Sequence, residues 1–120
     1  CRVCLVELMD KNKLVPACDT LVKEGMDVRT DTYRVIRSRK VNIELLLSNH
    51  PTDCLVCSKS GNCELQDLAW LANIRTIRFT GERINYPLDN SSLSLIRDPN
   101  KCVLCKGCRQ RFPCSCGNGI

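Results

Sequence analysis

One stretch constrains this chain more than any other: His50-Pro51-Thr52-Asp53-Cys54-Leu55-Val56-Cys57-Ser58-Lys59-Ser60-Gly61-Asn62-Cys63, spaced H-x3-C-x2-C-x5-C. It contains the only histidine of the sequence and three of its eleven cysteines. A histidine alone is ordinarily a surface or internally hydrogen-bonded residue. Three cysteines directly downstream make metal ligation the better reading of His50. Zinc accepts one imidazole and three thiolates in a tetrahedron. An iron–sulfur cube accepts the same set, because thiolates hold its iron corners and imidazole can replace one of them.

The rest of the composition agrees with a metal-organised chain. It has 120 residues, only 4% of them aromatic, so a large apolar core is not expected. Small modules with thin cores are usually stapled, and bound metal is the staple indicated here. Disulfides are disfavoured because the cysteine count is odd and the cysteines fall in C-x2-C groups that suit chelation. A reducing compartment follows from that reading, and the expected location is the cytoplasm, or an anaerobic organelle in a eukaryote. The sequence opens on Cys1, so the natural chain is expected to start earlier. No apolar run approaches the roughly 20 residues of a membrane span.

The formal charge of +5 treats every cysteine as neutral. Ligand thiolates are anions, so bound metal centres would offset much of the excess. The basic residues are dispersed, with Arg34, Arg37, Arg39 and Lys40 on one stretch and Arg75, Arg78 and Arg83 on another. The first group reads as a solvated helix face, and no nucleic-acid partner is expected.

Along the chain, residues 1 to about 30 read as a loop and short strands. Leu14 to Cys18 contains Pro16 and suits an edge strand or strand end, and Met26 to Arg29 follows Gly25 as a second strand. Thr30, Asp31 and Thr32 offer N-cap oxygens to a helix from about Thr32 to Ser48, which Pro51 prevents from continuing. A second helix is expected over Glu64–Leu71, its Leu65, Leu68, Ala69 and Leu71 forming an apolar stripe that packs over the metal loop. Ile74 to Thr80 alternates like a short strand, and residues 81–100 read as a polar loop.

Two further cysteine groups flank the central one. Cys1-x2-Cys4 followed by Cys18 has the pair and the distant member of a plant-type [2Fe–2S] ligand set, with a leading cysteine expected before residue 1. Taken alone, such a pair is equally half a zinc knuckle or a redox pair. Cys102-x2-Cys105-x2-Cys108 is the core of the bacterial ferredoxin run C-x2-C-x2-C-x3-C-P. Position 112 is Phe where that run has its fourth cysteine, although Pro113 follows as the pattern asks. Cys114 and Cys116 are left without a role.

These residues carry a family resemblance. Cys1-Arg2-Val3-Cys4-Leu5-Val6-Glu7, Pro16-Ala17-Cys18 and Glu24-Gly25-Met26 resemble the end of a [2Fe–2S] β-grasp domain. The His50 loop and its continuation Gly61 to Ala69 resemble a [4Fe–4S] module held by one histidine and three cysteines. Both occur together in the accessory region of [FeFe]-hydrogenases and in the largest peripheral-arm subunit of NADH–quinone oxidoreductase. Tyr86 to Ser92 and Arg97 to Cys102 look more like the hydrogenase branch, with NADP-reducing hydrogenase subunits as the nearest subtype. The resemblance covers residues 1 to about 108.

The resemblance implies an α+β chain of three parts: the C-terminal part of a β-grasp domain (1–31), a small helical histidine-ligated module (32–80), and a linker with the start of a bacterial ferredoxin-like domain (81–120). It implies Cys1, Cys4 and Cys18 as [2Fe–2S] ligands. His50, Cys54, Cys57 and Cys63 would hold one [4Fe–4S] cluster, and Cys102, Cys105 and Cys108 would hold corners of another. The implied function is electron relay between a redox partner, either ferredoxin or an NAD(P)H-oxidising flavin/iron–sulfur subunit, and a downstream catalytic domain. No catalytic centre is expected within these residues. The alternatives are a subunit of NADH or formate dehydrogenase and, in another class, a structural zinc-binding interaction module.

Overall fold

The computed structural model describes residues 1–80 and 83–103. A three-stranded antiparallel sheet opens the chain, in the order β2-β1-β3. The strands are β1 (Leu5–Leu8), β2 (Lys13–Pro16) and β3 (Val28–Arg29). The sequence does not single out the central strand. Its Leu-Val-Glu-Leu run is short, and its Glu7 interrupts any apolar signal. Pairing places Leu5 opposite Pro16 and Leu8 opposite Lys13, so the proline ends an edge strand, where a missing N–H costs no ladder bond. The expected strand through Cys18 stops there, because Ala17–Asp19 turn into a 3-10 segment. Only Val28 and Arg29 of the Met26–Arg29 run pair, since the run comes directly out of the Gly25 turn, where φ is +75°.

Helix α1 (Tyr33–Asn49) follows, and Thr32 accepts a hydrogen bond from the Val35 N–H at its start. At its end His50 takes up an extended backbone, φ −86° and ψ 141°, the conformation a following proline imposes. Helix α2 (Glu64–Leu71) has the predicted bounds. It closes in a Schellman motif: the Ile74 N–H bonds Ala69 C=O at 3.0 Å and the Asn73 N–H bonds Trp70 C=O at 2.9 Å. Asn73 takes the left-handed φ of +49° that this cap requires. That cap directs the chain away from any ladder, and Ile74–Thr80 forms no strand, contrary to the alternation of its sequence.

The core is thin. Among the described residues the buried apolar side chains are Val6, Leu8, Val35 and Ile43, joined by two buried acids, Glu7 and Glu44. Both acids are matched by arginines. Arg34 on α1 bonds Glu7, and Arg78 reaches Glu44 through both Nε and Nη2, at 2.8 and 2.7 Å. Arg39 donates from Nε to the Leu5 carbonyl at 2.9 Å, and Lys40 donates to the Asn73 carbonyl at 3.2 Å. The basic run on α1 is therefore not simply a solvated face. It fastens the helix to the sheet on one side and to the end of α2 on the other.

Candidate iron–sulfur sites

Cys1, Arg2, Val3 and Cys4 form the loop that enters β1. Arg2 has φ +60°, an uncommon conformation for a side chain of that size. Two contacts from α1 hold the loop: Asn42 donates to the Arg2 carbonyl at 3.2 Å, and Arg39 bonds Leu5. The Ala17 N–H donates to the Cys4 carbonyl at 3.0 Å, which brings the 3-10 turn carrying Cys18 alongside. The two sulfurs lie 3.3 Å apart. That is too far for a disulfide, whose S–S length is about 2 Å, and near the roughly 3.8 Å edge of a tetrahedron of thiolates at about 2.3 Å from one metal. The Cys18 backbone N–H holds the Cys4 thiol below its ordinary value, and the hydrogen bond with Cys4 pushes Cys18 up. Their closeness suits two sulfurs that share a cation. Cys1 is exposed and lines a cavity of about 210 Å³ with Asn42, Leu45, Asn49 and Cys102.

The second site is built by short turns between the two helices. His50 is the C-cap of α1, Cys54 opens a 3-10 turn over Cys54–Val56, and Cys57 closes it with its N–H on the Cys54 carbonyl at 3.2 Å. Further turns bond Ser60 to Cys57 and Asn62 to Lys59, with Gly61 at φ +79°. Cys63 is then the N-cap of α2, at the end of the helix where negative charge is favoured. His50, Cys54, Cys57 and Cys63 are all half-buried. Burial first, and then the Lys101 charge, pushes His50 below its usual value. Both effects favour the neutral imidazole, the form that binds metal.

Among the described residues, no three His, Cys, Asp or Glu side chains converge on a point where a single ion would sit. A cube asks for something else, since each ligand binds a different iron corner. The donor set of one neutral imidazole and three accessible thiols on one loop fits such a group. The apolar stripe of α2 does not simply cover this loop. Leu68 and Leu71 line a groove with Val3, Ile36 and Ile43 at the α1 interface, and Leu55, Val56 and Trp70 are exposed.

Of the third group, Cys102 is described and exposed, whereas Cys105 and Cys108, together with Phe112, Cys114 and Cys116, lie outside the described residues. A feature that sequence reasoning misses sits at its entrance. Lys101 Nζ bonds both carboxylate oxygens of Asp53 at 2.6 Å. The ammonium holds the Asp53 carboxyl below its usual range and is itself raised by that carboxylate. Nothing local in the sequence links positions 48 residues apart.

Two family models match. Residues 1–33 match the 2Fe-2S iron-sulfur cluster binding domain, and residues 39–78 match the NADH-ubiquinone oxidoreductase-G iron-sulfur binding region. Over 90% of its length the chain is 46% identical to the NADP-reducing hydrogenase subunit HndD of Solidesulfovibrio fructosivorans, and covers 18% of that protein. It is 38% identical to an NADH-quinone oxidoreductase subunit of Rhizobium meliloti, covering 13% of it. Among solved structures it resembles an NAD+-reducing [NiFe]-hydrogenase in the H2-reduced state, with a TM-score of 0.81 and 30% identity over 90% of this chain and 45% of the other. The chain therefore spans about a fifth or less of the curated relatives it matches. It is related to subunits of NADP-reducing hydrogenase and of NADH-quinone oxidoreductase, and it carries both a [2Fe–2S] and a [4Fe–4S] binding region.

Proposed function

We propose that this chain is the electron-relay region of an NAD(P)-linked hydrogenase, and more narrowly of one whose hydrogen-activating centre is of the [FeFe] type. The observation that carries the reading is the 46% identity to an NADP-reducing hydrogenase subunit over 90% of the chain. That match reaches beyond the two cluster-binding regions, which end at residue 78. The narrower [FeFe] assignment rests on the hydrogenase-like stretches Tyr86 to Ser92 and Arg97 to Cys102.

In this reading Cys1, Cys4 and Cys18 are ligands of a [2Fe–2S] cluster. His50, Cys54, Cys57 and Cys63 hold a [4Fe–4S] cluster, and Cys102, Cys105 and Cys108 contribute to another. Bound clusters of these kinds accept and release single electrons at potentials set by ligand type, hydrogen bonding and exposure. The chain's own part is to fix and tune them. Helix α1 anchors the Cys1–Cys4 loop through Asn42 and Arg39, and it terminates in His50. One rigid element therefore serves both sites. His50 supplies a neutral donor where cysteine would supply an anion, which shifts that site toward easier reduction.

The expected partners are a ferredoxin or an NAD(P)H-oxidising flavin/iron–sulfur subunit and a downstream catalytic domain, in the cytoplasm. No described helix is long and apolar enough to cross a membrane. The test is H2-dependent reduction of NADP+ or ferredoxin by the full-length protein with its partner subunits. Oxidation of NADH without any hydrogen chemistry would instead favour a second reading, a respiratory NADH dehydrogenase subunit. That reading has its own support in the match of residues 39–78 to the oxidoreductase-G region. The structural zinc alternative has no comparable support, since both matched regions are iron–sulfur regions.

A further inference from the structure

The basic residues of α1 divide by what they meet. Arg34 and Arg39 turn to the sheet, where Glu7 and the Leu5 carbonyl receive them. Arg37 and Lys40 instead line an open groove of about 730 Å³ between α1 and the segment after α2, together with Arg75 and Arg78. The charge of Arg78 is already matched, by the buried Glu44 beneath it. The other three cations have no such partner. Lys40 Nζ donates to the Asn73 carbonyl at 3.2 Å and Arg75 Nε to the Asn73 Oδ1 at 3.1 Å. The cap of α2 therefore holds both in place without neutralising either. Among the described residues no carboxylate pairs with Arg37, Lys40 or Arg75. An ammonium has three donors and a guanidinium five, so these groups keep donors to offer outward.

Tyr33, Ile36 and Phe79 stand exposed along the same groove. Aromatic side chains and arginines together are the composition enriched at protein-binding surfaces. Ile36, Lys40 and Asn73 also line the adjoining groove that contains Val3, the residue directly before Cys4. A molecule seated on the cations thus reaches the Cys1–Cys4 loop. Permanent subunit contacts are large and more apolar than this, whereas a transient contact is guided by opposite charge.

Resting on the reading of Cys1 and Cys4 as [2Fe–2S] ligands, we propose that this groove is the docking site of a soluble electron-carrier protein with an acidic surface, whose carboxylates sit on Arg37, Lys40 and Arg75. The reduced carrier gives up one electron, which enters at the Cys1–Cys4 site, and no bond is made or broken.

The experiment mixes the full-length, cluster-loaded protein with a reduced acidic ferredoxin freed of excess dithionite. Freeze-quench electron paramagnetic resonance then follows the rise of the [2Fe–2S] signal. Arg37→Glu with Arg75→Glu should slow that rise about ten-fold or more at low ionic strength, as loss of electrostatic steering does. In about 1 M salt, where the Debye length falls to roughly 3 Å, the variant and wild-type rates should converge. Reduction by the methyl viologen radical cation, which has no acidic surface to dock, should not fall. Reversing two exposed cations elsewhere, Lys11→Glu with Lys23→Glu, should have a much smaller effect. An unchanged ferredoxin rate in the groove variant, or an equal loss in the Lys11 and Lys23 variant, would overturn the docking site and leave the cluster assignments intact. So would a loss with ferredoxin and viologen alike, the result expected if the rest of the chain or a fixed subunit fills the groove. A wild-type protein with no [2Fe–2S] signal would overturn the reading of Cys1 and Cys4, and the docking site with it.

Discussion

Replacing His50 by cysteine puts an anionic thiolate where a neutral imidazole stands, and its consequence can be sized in advance. The added unit charge disfavours an incoming electron. At about 4 Å, two unit charges interact by about 4 kcal/mol at an effective permittivity near 20, and by about 1 kcal/mol in bulk water. The loop lies between those limits, since His50, Cys54, Cys57 and Cys63 are all half-buried. At about 2.3 kcal/mol per 100 mV for one charge, the midpoint potential of that cluster should fall by roughly 40 to 180 mV. The assay is a redox titration of the full-length protein monitored by electron paramagnetic resonance, with the [2Fe–2S] signal as an internal reference that should not move. An unchanged [4Fe–4S] midpoint in a variant that keeps its full iron content would refute ligation by His50. A rise in potential would refute the electrostatic argument itself.

Other expectations follow from the packing. Arg78→Ala leaves the buried Glu44 carboxylate without its two guanidinium bonds and should destabilise the protein by about 1–3 kcal/mol, seen as earlier thermal bleaching of the cluster absorbance. The double variant Glu44→Leu with Arg78→Met should recover most of that loss, since a buried pair replaced as a whole is often neutral. Gly61→Ala meets no atom within 4 Å of the added Cβ but must hold a φ of +79°. It should therefore cost on the order of 1 kcal/mol through the backbone alone, measured as faster iron release to a chelator. Removal of all iron should leave the chain largely disordered, because so few apolar side chains are buried and folding of such modules is coupled to metal binding. A well-dispersed amide spectrum of the metal-free chain would contradict this.

What is readable from sequence is what local chemistry fixes. Pro51 after the Asn49–His50 junction marks the end of α1, Thr32 marks its start, and Cys63 followed by an amphipathic stretch marks α2 to the residue. Cysteine spacing marks both regions as metal-ligand groups, and the family resemblance is what assigns them to iron–sulfur clusters. The unread parts depend on contacts distant in sequence. β1 is central because both β2 and β3 pair with it, and among the described residues the charge of its buried Glu7 is met only by Arg34, 27 positions away on α1. Similarly, Arg78 belongs to a dispersed basic set by sequence, yet Glu44, 34 residues earlier, is buried beneath it. Ile74–Thr80 has the alternation of a strand but pairs with no strand among the described residues, after the Asn73 cap turns the chain aside. The approach of Cys18 to Cys4 follows from the ligand pattern, whereas the Asp53–Lys101 contact has no sequence signature at all.

The central claim is that the cysteines and His50 organise iron–sulfur clusters that relay electrons. Iron, sulfide and zinc analysis of the anaerobically purified full-length protein, combined with its dithionite-reduced electron paramagnetic resonance spectrum, tests it most directly. The account predicts iron with matching acid-labile sulfide, together with distinct signals from one [2Fe–2S] cluster and at least one [4Fe–4S] cluster that Cys4→Ser and His50→Ala respectively remove or alter. A colourless protein that holds zinc in place of iron and shows no signal on reduction would contradict it.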